Sequence, residues 1–206
     1  MSIGIVDVGI GNIGSLRGAL YSQGWDTVEV SSPGQISALT HLLLPGVGAF
    51  SAAMKQLQAT SLIKPIQDFA ESGRPLLGIC LGMQLLADTG TENGQTEGLS
   101  LLQGNVDKLN VPPGFRLPHV GWNELHQHQE HPLTKGMRDG IDFYFVHSYF
   151  FDVQEKTDLV GTTNYGIECP AMIGRNNVVG MQFHPEKSQR NGLLLLDKFC
   201  MWDGSC

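Results

Sequence analysis

One cysteine in this sequence lies where a catalytic nucleophile would be expected. The run Gly-Ile-Cys-Leu-Gly at 78–82 follows an apolar stretch and precedes a helical one, so Cys80 sits at a strand-to-helix turn. Glycine on both sides, at Gly78 and Gly82, permits the sharp turn called a nucleophile elbow. The following helix N-terminus would favour the thiolate over the thiol. A buried cysteine that acts only as a small apolar side chain is the competing interpretation.

A thiolate needs a base, and a second run supplies a candidate. Residues 182–186, Gln-Phe-His-Pro-Glu, follow an apolar strand that would deliver His184 to the same edge of a sheet. Glu186 can turn back to hold the other imidazole nitrogen and fix its tautomer. Because the motif is short, a surface histidine beside an unrelated glutamate is the alternative. Together the two runs predict a triad of Cys80, His184 and Glu186.

A third strand end carries small residues that could stabilise an oxyanion. The run Pro-Gly-Val-Gly at 45–48 ends an apolar strand, and it offers the backbone amides of Gly46, Val47 and Gly48. The amide of Leu81, directly after the nucleophile, would add another donor. An ordinary turn between a strand and a helix would also be rich in glycine. The predicted oxyanion hole therefore depends on all three strand ends meeting in one place.

Two other patterns suggest different chemistry. The run at 9–14 is a literal Gly-x-Gly-x-x-Gly, with Glu29 twenty residues after its first glycine, as in dinucleotide-binding turns. This interpretation leaves the triad unexplained in a chain short for two domains, so a plain turn is favoured. The histidine-rich segment 126–131 could bind zinc through two histidines on one strand face. It lacks further ligands of matching spacing, so a solvated loop without metal is favoured.

Size and composition restrict the class of protein. A chain of 206 residues fits one domain, 1–206, that buries roughly 70% of its unfolded surface. A net charge of −7 argues against nucleic acid or an anionic membrane as the partner. The sequence has no apolar run near the ~18 residues of a spanning helix, and its start does not resemble a signal peptide. Four cysteines without CxxC spacing favour a reduced, cytoplasmic protein.

The elements that must position these residues alternate between strand and helix in the first half. Strands are predicted at 2–8, 28–30, 41–44 and 75–79, and helices at 12–23, 49–58, 61–71 and, after Cys80, 81–88. After Gly90, strands are predicted near 103–109, 115–125, 142–150, 158–164, 170–175 and 177–183, and a final helix at 187–201. The predicted fold class is α/β: a parallel or mixed central sheet with helices on both faces and added antiparallel strands.

The motifs resemble those of the class I glutamine amidotransferases. The runs at 78–84 and 182–186 are typical of the whole class. The runs at 118–123, 145–149 and 185–188 narrow the resemblance to the branch that serves imidazole glycerol phosphate synthase. The resemblance implies a flavodoxin-like fold and no cofactor. It also implies hydrolysis of glutamine to glutamate and ammonia through a thioester on Cys80.

The resemblance assigns roles to further residues. Positions that hold glutamine are matched by Gly48, Gln84, Ser148 and Tyr149, and positions near a partner by Asn12, Trp122, Asn123 and Lys187. The implied partner is a (β/α)8-barrel cyclase subunit in a heterodimer. It would use the ammonia to form imidazole glycerol phosphate and AICAR in histidine biosynthesis. The alternatives are an amidotransferase for another synthase and a catalytically silent interaction module on the same fold.

Overall fold

The chain folds into a layered arrangement of strands and helices. The computed structural model describes residues 1–7, 9 and 13–205. Its strands in these ranges are β1 (Ile3–Val6), β2 (Thr27–Val30), β3 (His41–Gly46), β4 (Leu76–Cys80), β5 (Thr89–Gly90), β6 (Thr96–Glu97), β7 (Gly104–Lys108), β8 (His119–Gln127), β9 (Ile141–His147), β10 (Tyr149–Val153), β11 (Leu159–Asn164), β12 (Glu168–Arg175) and β13 (Val178–Met181). The α-helices are α1 (Ile13–Ser22), α2 (Phe50–Ala59), α3 (Ile63–Glu71), α4 (Leu81–Gln84) and α5 (Gln189–Met201).

The large sheet is parallel in one half and antiparallel in the other. Within the described residues its strand order is β2-β1-β3-β4-β13-β12-β11-β8-β9. The first five strands in this order, which are β2, β1, β3, β4 and β13, pair with one another in parallel. The remaining strands pair antiparallel. A smaller sheet has the order β10-β7-β5-β6. The predicted combination of a parallel sheet with later antiparallel strands is therefore confirmed.

Helices cover both faces of the parallel half. Helices α2 and α3 contribute to one buried cluster, and α1 and α5 contribute to the other. In β3, Leu42 and Leu44 belong to the first cluster and Leu43 to the second. Because successive strand side chains point to opposite faces, a strand covered on both faces must be apolar throughout. None of the helices in the described ranges is long and apolar enough to span a bilayer.

Helix α4 is much shorter than the helix predicted over 81–88. It ends at Gln84 because the carbonyls that would continue it bond to a segment farther along the chain. The carbonyl of Leu85 accepts from Leu99 N at 2.8 Å, and that of Ala87 accepts from Ser100 N at 2.9 Å. These tertiary hydrogen bonds satisfy the same backbone groups that helix continuation would use. The local pattern of apolar residues does not reveal them.

Two predicted strands have different bounds in the structure. The strand expected over 115–125 begins only at His119 and continues to Gln127 as β8. The single strand expected over 142–150 is two strands, β9 and β10, with Ser148 between them. The chain leaves the large sheet at the end of β9 and enters the small sheet with β10. Ser148 therefore lies where the two sheets diverge.

Candidate active site

Three strand ends meet at the carboxyl edge of the parallel sheet. In the register of β3 and β4, Gly46 lies beside Cys80. On the other side of β4, Met181 of β13 lies beside Ile79, and the chain continues from there to His184. Crevices outside the carboxyl ends of the strands are where open α/β sheets bind ligands. The structure thus brings together the three runs that the sequence placed at one edge.

The turn at Cys80 is strained and admits only glycine at two neighbouring positions. Cys80 has φ 55° and ψ −112°, a left-handed conformation that costs a non-glycine residue about 1–3 kcal/mol. A Cβ at Gly82 would lie 1.6 Å from the carbonyl oxygen of Leu44, and one at Gly78 would lie 2.5 Å from that of Gly82. The elbow geometry predicted for residues 78–82 is therefore present.

The surroundings of the Cys80 sulfur differ from the expectation in one respect. Because α4 is a single turn, it has a smaller dipole than the long helix expected from the sequence. Near the sulfur, α4 contributes mainly the backbone amides of its first turn, which have no acceptor within the helix. The sulfur itself lies 3.9 Å from the donor Nε2 of Gln182 and 3.8 Å from the carbonyl oxygen of Val146.

His184 and Glu186 form a buried pair next to Cys80. The Nδ1 atom of His184 lies 2.8 Å from Oε1 of Glu186, and both side chains are almost fully buried. Burial alone would lower the pKa of His184, but nearby Cys80 and then Glu186 outweigh it and raise the pKa to about 9. Among the described residues, the buried Nε2 atom has no partner at hydrogen-bonding distance. Nε2 is thus left available for proton transfer.

A small cavity lies behind the pair. Its volume is about 10 Å³, and its walls include Gly46, Val47, His184 and Glu186. The Oε2 atom of Glu186 is buried and has no hydrogen-bond partner within the described part of the chain. A space of this size is close to the minimum that holds one water molecule.

A larger pocket of about 460 Å³ opens beside Cys80 and His184. Its walls include the four residues that the resemblance assigned to glutamine, Gly48, Gln84, Ser148 and Tyr149. This volume lies within the range typical of small-molecule sites. The predicted nucleophile, base and substrate-binding residues therefore share one pocket, although their roles stay predictions.

The residues predicted to form an oxyanion hole lie near one another but not all on the pocket wall. Val47, Gly48 and Leu81 line the pocket. Gly46 lies behind them, and a Cβ there would be 3.0 Å from the Cβ of Leu81. Gly48 has φ 95°, a conformation that favours glycine. The turn after β3 is thus packed directly on the start of α4.

Sequence reasoning missed Glu92 and His147, which line this pocket, and Gln182, which lies next to Cys80 outside the pocket wall. Glu92 lines it, and its Oε2 accepts a hydrogen bond from Phe50 N at 2.8 Å. Its sequence surroundings indicate only a surface turn. Gln182 is fully buried; its Oε1 accepts from Gln84 Nε2 at 3.0 Å and its Nε2 faces the Cys80 sulfur. Gln182 could have been recognised as a site residue from the sequence, because it is the first residue of the run that contains His184.

The predicted partner-facing residues do not all share one surface. Trp122 and Lys187 both lie against Tyr144, with a ring-centroid distance of 6.0 Å for the tryptophan and an Nζ-to-centroid distance of 6.0 Å for the lysine. The side chain of Asn123 instead donates to Asn164 O at 2.8 Å. This separation follows from the alternation of side chains along a strand.

Three sequence features fall wholly or partly outside the described residues. Positions 10–12 of the glycine-rich run are among them, and these include Asn12 of the predicted partner surface. Cys206 is also among them. Glu29, the acidic residue of the dinucleotide pattern, forms an ion pair with Arg17 on α1.

The histidine-rich segment is only partly the solvated loop that the sequence suggested, because 128–130 are exposed and outside the strands but the segment's two ends are not. His126 belongs to strand β8, and His131 is buried, with its ring 5.5 Å from that of Trp202. Burial lowers the pKa of His131 to about 4. No group of three or more potential metal ligands with suitable geometry occurs in the described ranges.

The other described cysteines differ from Cys80 in their surroundings. Cys169 and Cys200 are buried free thiols. Burial raises the pKa of Cys169 to about 11 and that of Cys200 to about 12. A thiol with so high a pKa is a poor nucleophile near neutral pH. They fit the inert cysteines expected from the sequence.

Comparison with known proteins identifies the family. The family model described as "Glutamine amidotransferase class-I" matches residues 5–201. "Imidazole glycerol phosphate synthase subunit HisH" of Desulfitobacterium hafniense (strain DSM 10664 / DCB-2) is 46% identical over 200 residues, which cover 97% of this chain and 94% of that protein. The protein of the same name from Moorella thermoacetica is 47% identical over 197 residues, covering 96% and 93%.

Solved structures show the same fold at much lower identity. A structure described as a glutamine amidotransferase is 18% identical, with a TM-score of 0.75 and coverage of 96% of this chain and 98% of that one. PurLQS from Thermotoga maritima is also 18% identical, with a TM-score of 0.75 and coverage of 97% of each chain. At this identity the likeness concerns the fold alone. On the family model and the curated relatives, the chain belongs to the class I glutamine amidotransferase family.

Proposed function

We propose that this chain is the glutamine-hydrolysing subunit of imidazole glycerol phosphate synthase. The observation that carries the proposal is the position of Cys80, on a strained turn in the wall of a pocket that it shares with His184. The narrower assignment is supported by relatives at 46% and 47% identity over nearly the whole chain. Fold resemblance alone would not select a reaction.

In the proposed first half-reaction, the Cys80 thiolate attacks the side-chain amide carbon of glutamine. The amides of Val47, Gly48 and Leu81 are the proposed donors to the oxyanion that develops. His184 holds a proton on Nε2 and gives it to the departing nitrogen, so that ammonia leaves and a glutamyl thioester remains. Glu186 keeps Nδ1 of the imidazole protonated and stabilises the imidazolium.

In the second half-reaction, water hydrolyses the thioester. Neutral His184 takes a proton from the water as it attacks, and the cysteine sulfur leaves as a thiolate. The reprotonated imidazole and the thiolate restore the starting state. The balance is one glutamine and one water consumed for one glutamate and one ammonia formed.

The amino-acid end of glutamine needs charged partners, and the pocket contains one candidate. Glu92 is the only carboxylate among the described residues that line the pocket, so we propose that it pairs with the substrate α-ammonium. Gly48, Gln84, Ser148 and Tyr149 would hold the remaining polar groups. A specific orientation follows, with the side-chain amide of glutamine at Cys80.

The ammonia is proposed to pass to a (β/α)8-barrel cyclase subunit, which forms imidazole glycerol phosphate and AICAR. The proposed docking surface contains Trp122 and Lys187. Trp122 is 47% exposed although it is a large aromatic residue. Exposed aromatic side chains of this kind are enriched at protein–protein interfaces.

The experiment is a glutaminase assay of the chain alone and mixed with the cyclase subunit and its nucleotide substrate. We expect a large rise in glutamate formation in the mixture and loss of that activity in Cys80→Ala. The Cys80→Ala complex should still make product from added ammonia. A formed complex without glutaminase activity would refute the proposal, and so would activation by a different synthase instead of the cyclase.

A further inference from the structure

A chain of hydrogen bonds connects the pocket with the surface of β8. Asn123 Nδ2 lies 3.3 Å from His119 Nε2, and His119 Nδ1 lies 3.0 Å from His147 Nε2. His147 Nδ1 lies 2.9 Å from the carbonyl oxygen of Tyr149. The same oxygen accepts a hydrogen bond from Gln84 Nε2 at 3.0 Å. The two histidines therefore link a surface asparagine to two residues of the proposed glutamine site.

The hydrogen-bond partners allow one arrangement of protons. Asn123 Nδ2 donates to the carbonyl oxygen of Asn164, so its amide nitrogen is the donor and His119 Nε2 the acceptor. At the other end, His147 Nδ1 faces a carbonyl oxygen and must donate. His147 Nε2 then accepts from His119 Nδ1. Both rings are neutral Nδ1–H tautomers, and a proton added to either Nε2 would face the donor that now bonds to that nitrogen.

Both rings are held rigidly. His119 is 2% exposed and His147 is 5% exposed. The His119 ring stacks on Phe145 at a centroid distance of 4.9 Å and on Tyr165 at 4.0 Å. Burial lowers the pKa of each histidine to about 4, so both are neutral at physiological pH. The chain is therefore fully formed under the conditions in which the enzyme would work.

We propose that His119 and His147 are positioning residues that hold the Ser148–Tyr149 segment of the glutamine pocket in its binding conformation. This inference rests on the proposed function, because it names what fixes that same site. His147 acts through the Tyr149 carbonyl, and His119 acts by orienting His147. His147 also forms part of the pocket wall, but the proposed role requires neither histidine to touch the reacting atoms.

The structure shows why this segment needs such support. Ser148 lies between β9 of the large sheet and β10 of the small sheet, where regular strand pairing is interrupted. The Tyr149 carbonyl oxygen accepts hydrogen bonds from both His147 and Gln84. Gln84 also donates a hydrogen bond to Gln182, which lies beside Cys80. Losing the histidine bond leaves a half-buried acceptor with one partner fewer and frees the segment to shift. The expected defect is weaker glutamine binding.

Two substitutions at one position separate positioning from packing. In His147→Asn the amide can place a donor where Nδ1 stands, whereas in His147→Gln it reaches the position of Nε2 instead. The dissociation constant of glutamine is measured by calorimetry on the cyclase complex in a Cys80→Ala background, where no turnover occurs. We expect about a tenfold increase for His147→Gln, the effect of one buried hydrogen bond, and a much smaller one for His147→Asn.

Turnover by complexes that retain Cys80 supplies the second measurement. His147→Gln should raise KM for glutamine about tenfold with little change in kcat, and synthesis from added ammonia should be unchanged. His128→Asn is the matched control, because His128 lies just beyond the end of β8 and bonds Thr162 instead of the pocket. It should leave KM unaltered.

The two failures are distinguishable. Equal dissociation constants for the asparagine and glutamine variants, or a fall in kcat at constant KM, would overturn the positioning role. Absence of turnover in the complex with Cys80 intact would instead overturn the proposed function. In that case the calorimetric comparison still decides whether the histidine pair controls glutamine binding.

Discussion

His184 and Glu186 meet through a single hydrogen bond, 2.8 Å between Nδ1 and Oε1. The other oxygen of Glu186 has no hydrogen-bond partner in the part of the chain that the structure describes. Within the described residues, one hydrogen bond therefore fixes the orientation of the carboxylate. That hydrogen bond keeps Nδ1 protonated, and in the proposed mechanism it leaves Nε2 to exchange its proton with the substrate.

Glu186→Gln should reduce kcat for glutamine by about a hundredfold or more, because the amide removes the charge that stabilises the imidazolium. The pKa of His184 should fall from its raised value for the same reason. Steady-state kinetics and histidine NMR titration measure the two effects. Synthesis from ammonia by the same complex is the control, and an unchanged kcat would contradict the proposed role of Glu186.

Gly82→Ala should destabilise the fold and remove glutaminase activity together. Its Cβ would meet the Leu44 carbonyl oxygen at 1.6 Å, so either α4 or β3 must move. Overpacking of this kind typically costs about 1–3 kcal/mol, and rigid backbone on both sides places this case at the upper end or beyond. The free energy of unfolding from urea titration gives the magnitude.

Gly18→Ala is the matched control for that substitution. Gly18 lies within helix α1, and a Cβ there would meet no atom within 4 Å. Alanine in an exposed helix interior should stabilise by about 0.5–1 kcal/mol. If both alanine variants changed stability equally, the close approach at Gly82 would not be the cause.

Features that follow from local sequence patterns could be predicted from the sequence. Apolar strands that alternate with helices predicted the parallel sheet, and the glycines around Cys80 predicted the turn. The end of α4 was not predictable, because it depends on hydrogen bonds to residues 99–102 that are distant in sequence. Tertiary contacts of this kind override a local helical pattern.

The polar residues of the site were harder to find than its nucleophile. Glu92 occurs in a turn whose composition is typical of any loop. His119 and His147 stood in motifs that carried the family resemblance, yet their function depends on the register of β8 with β9, in which they are direct neighbours. A register cannot be read from either strand alone.

The free energy of unfolding should fall steeply below pH 6.5. Burial lowers the pKa of His119, His131 and His147 to about 4, whereas an unfolded histidine has a pKa near 6.5. Between these values the unfolded chain binds protons that the folded chain does not. Three such protons correspond to a slope of up to about 4 kcal/mol per pH unit.

His184 has the opposite effect on the alkaline side. Its folded pKa of about 9 is raised, so its contribution is fully present below pH 6.5 and is lost as pH rises through 9. Urea midpoints at pH 5, 7 and 9.5 should therefore be highest at pH 7. The double variant His119→Asn/His147→Asn should flatten the acidic side. A constant midpoint from pH 5 to 7 would show that these histidines are protonated in the folded state.

Glu92→Gln should raise KM for glutamine with little change in kcat. The amide oxygen can still accept the hydrogen bond from Phe50 N, so helix α2 keeps its start while the pocket loses its carboxylate charge. Loss of one charge-assisted contact to an ammonium corresponds to about tenfold or more in KM.

Glu97→Gln is the control, because Glu97 is exposed on β6 and does not line the glutamine pocket. Glutaric acid monoamide has the side-chain amide of glutamine but no α-amino group. If wild type and Glu92→Gln used it equally well but differed in KM for glutamine, the contact would be assigned to the ammonium. Equal KM values for glutamine in the two enzymes would exclude Glu92 as its partner.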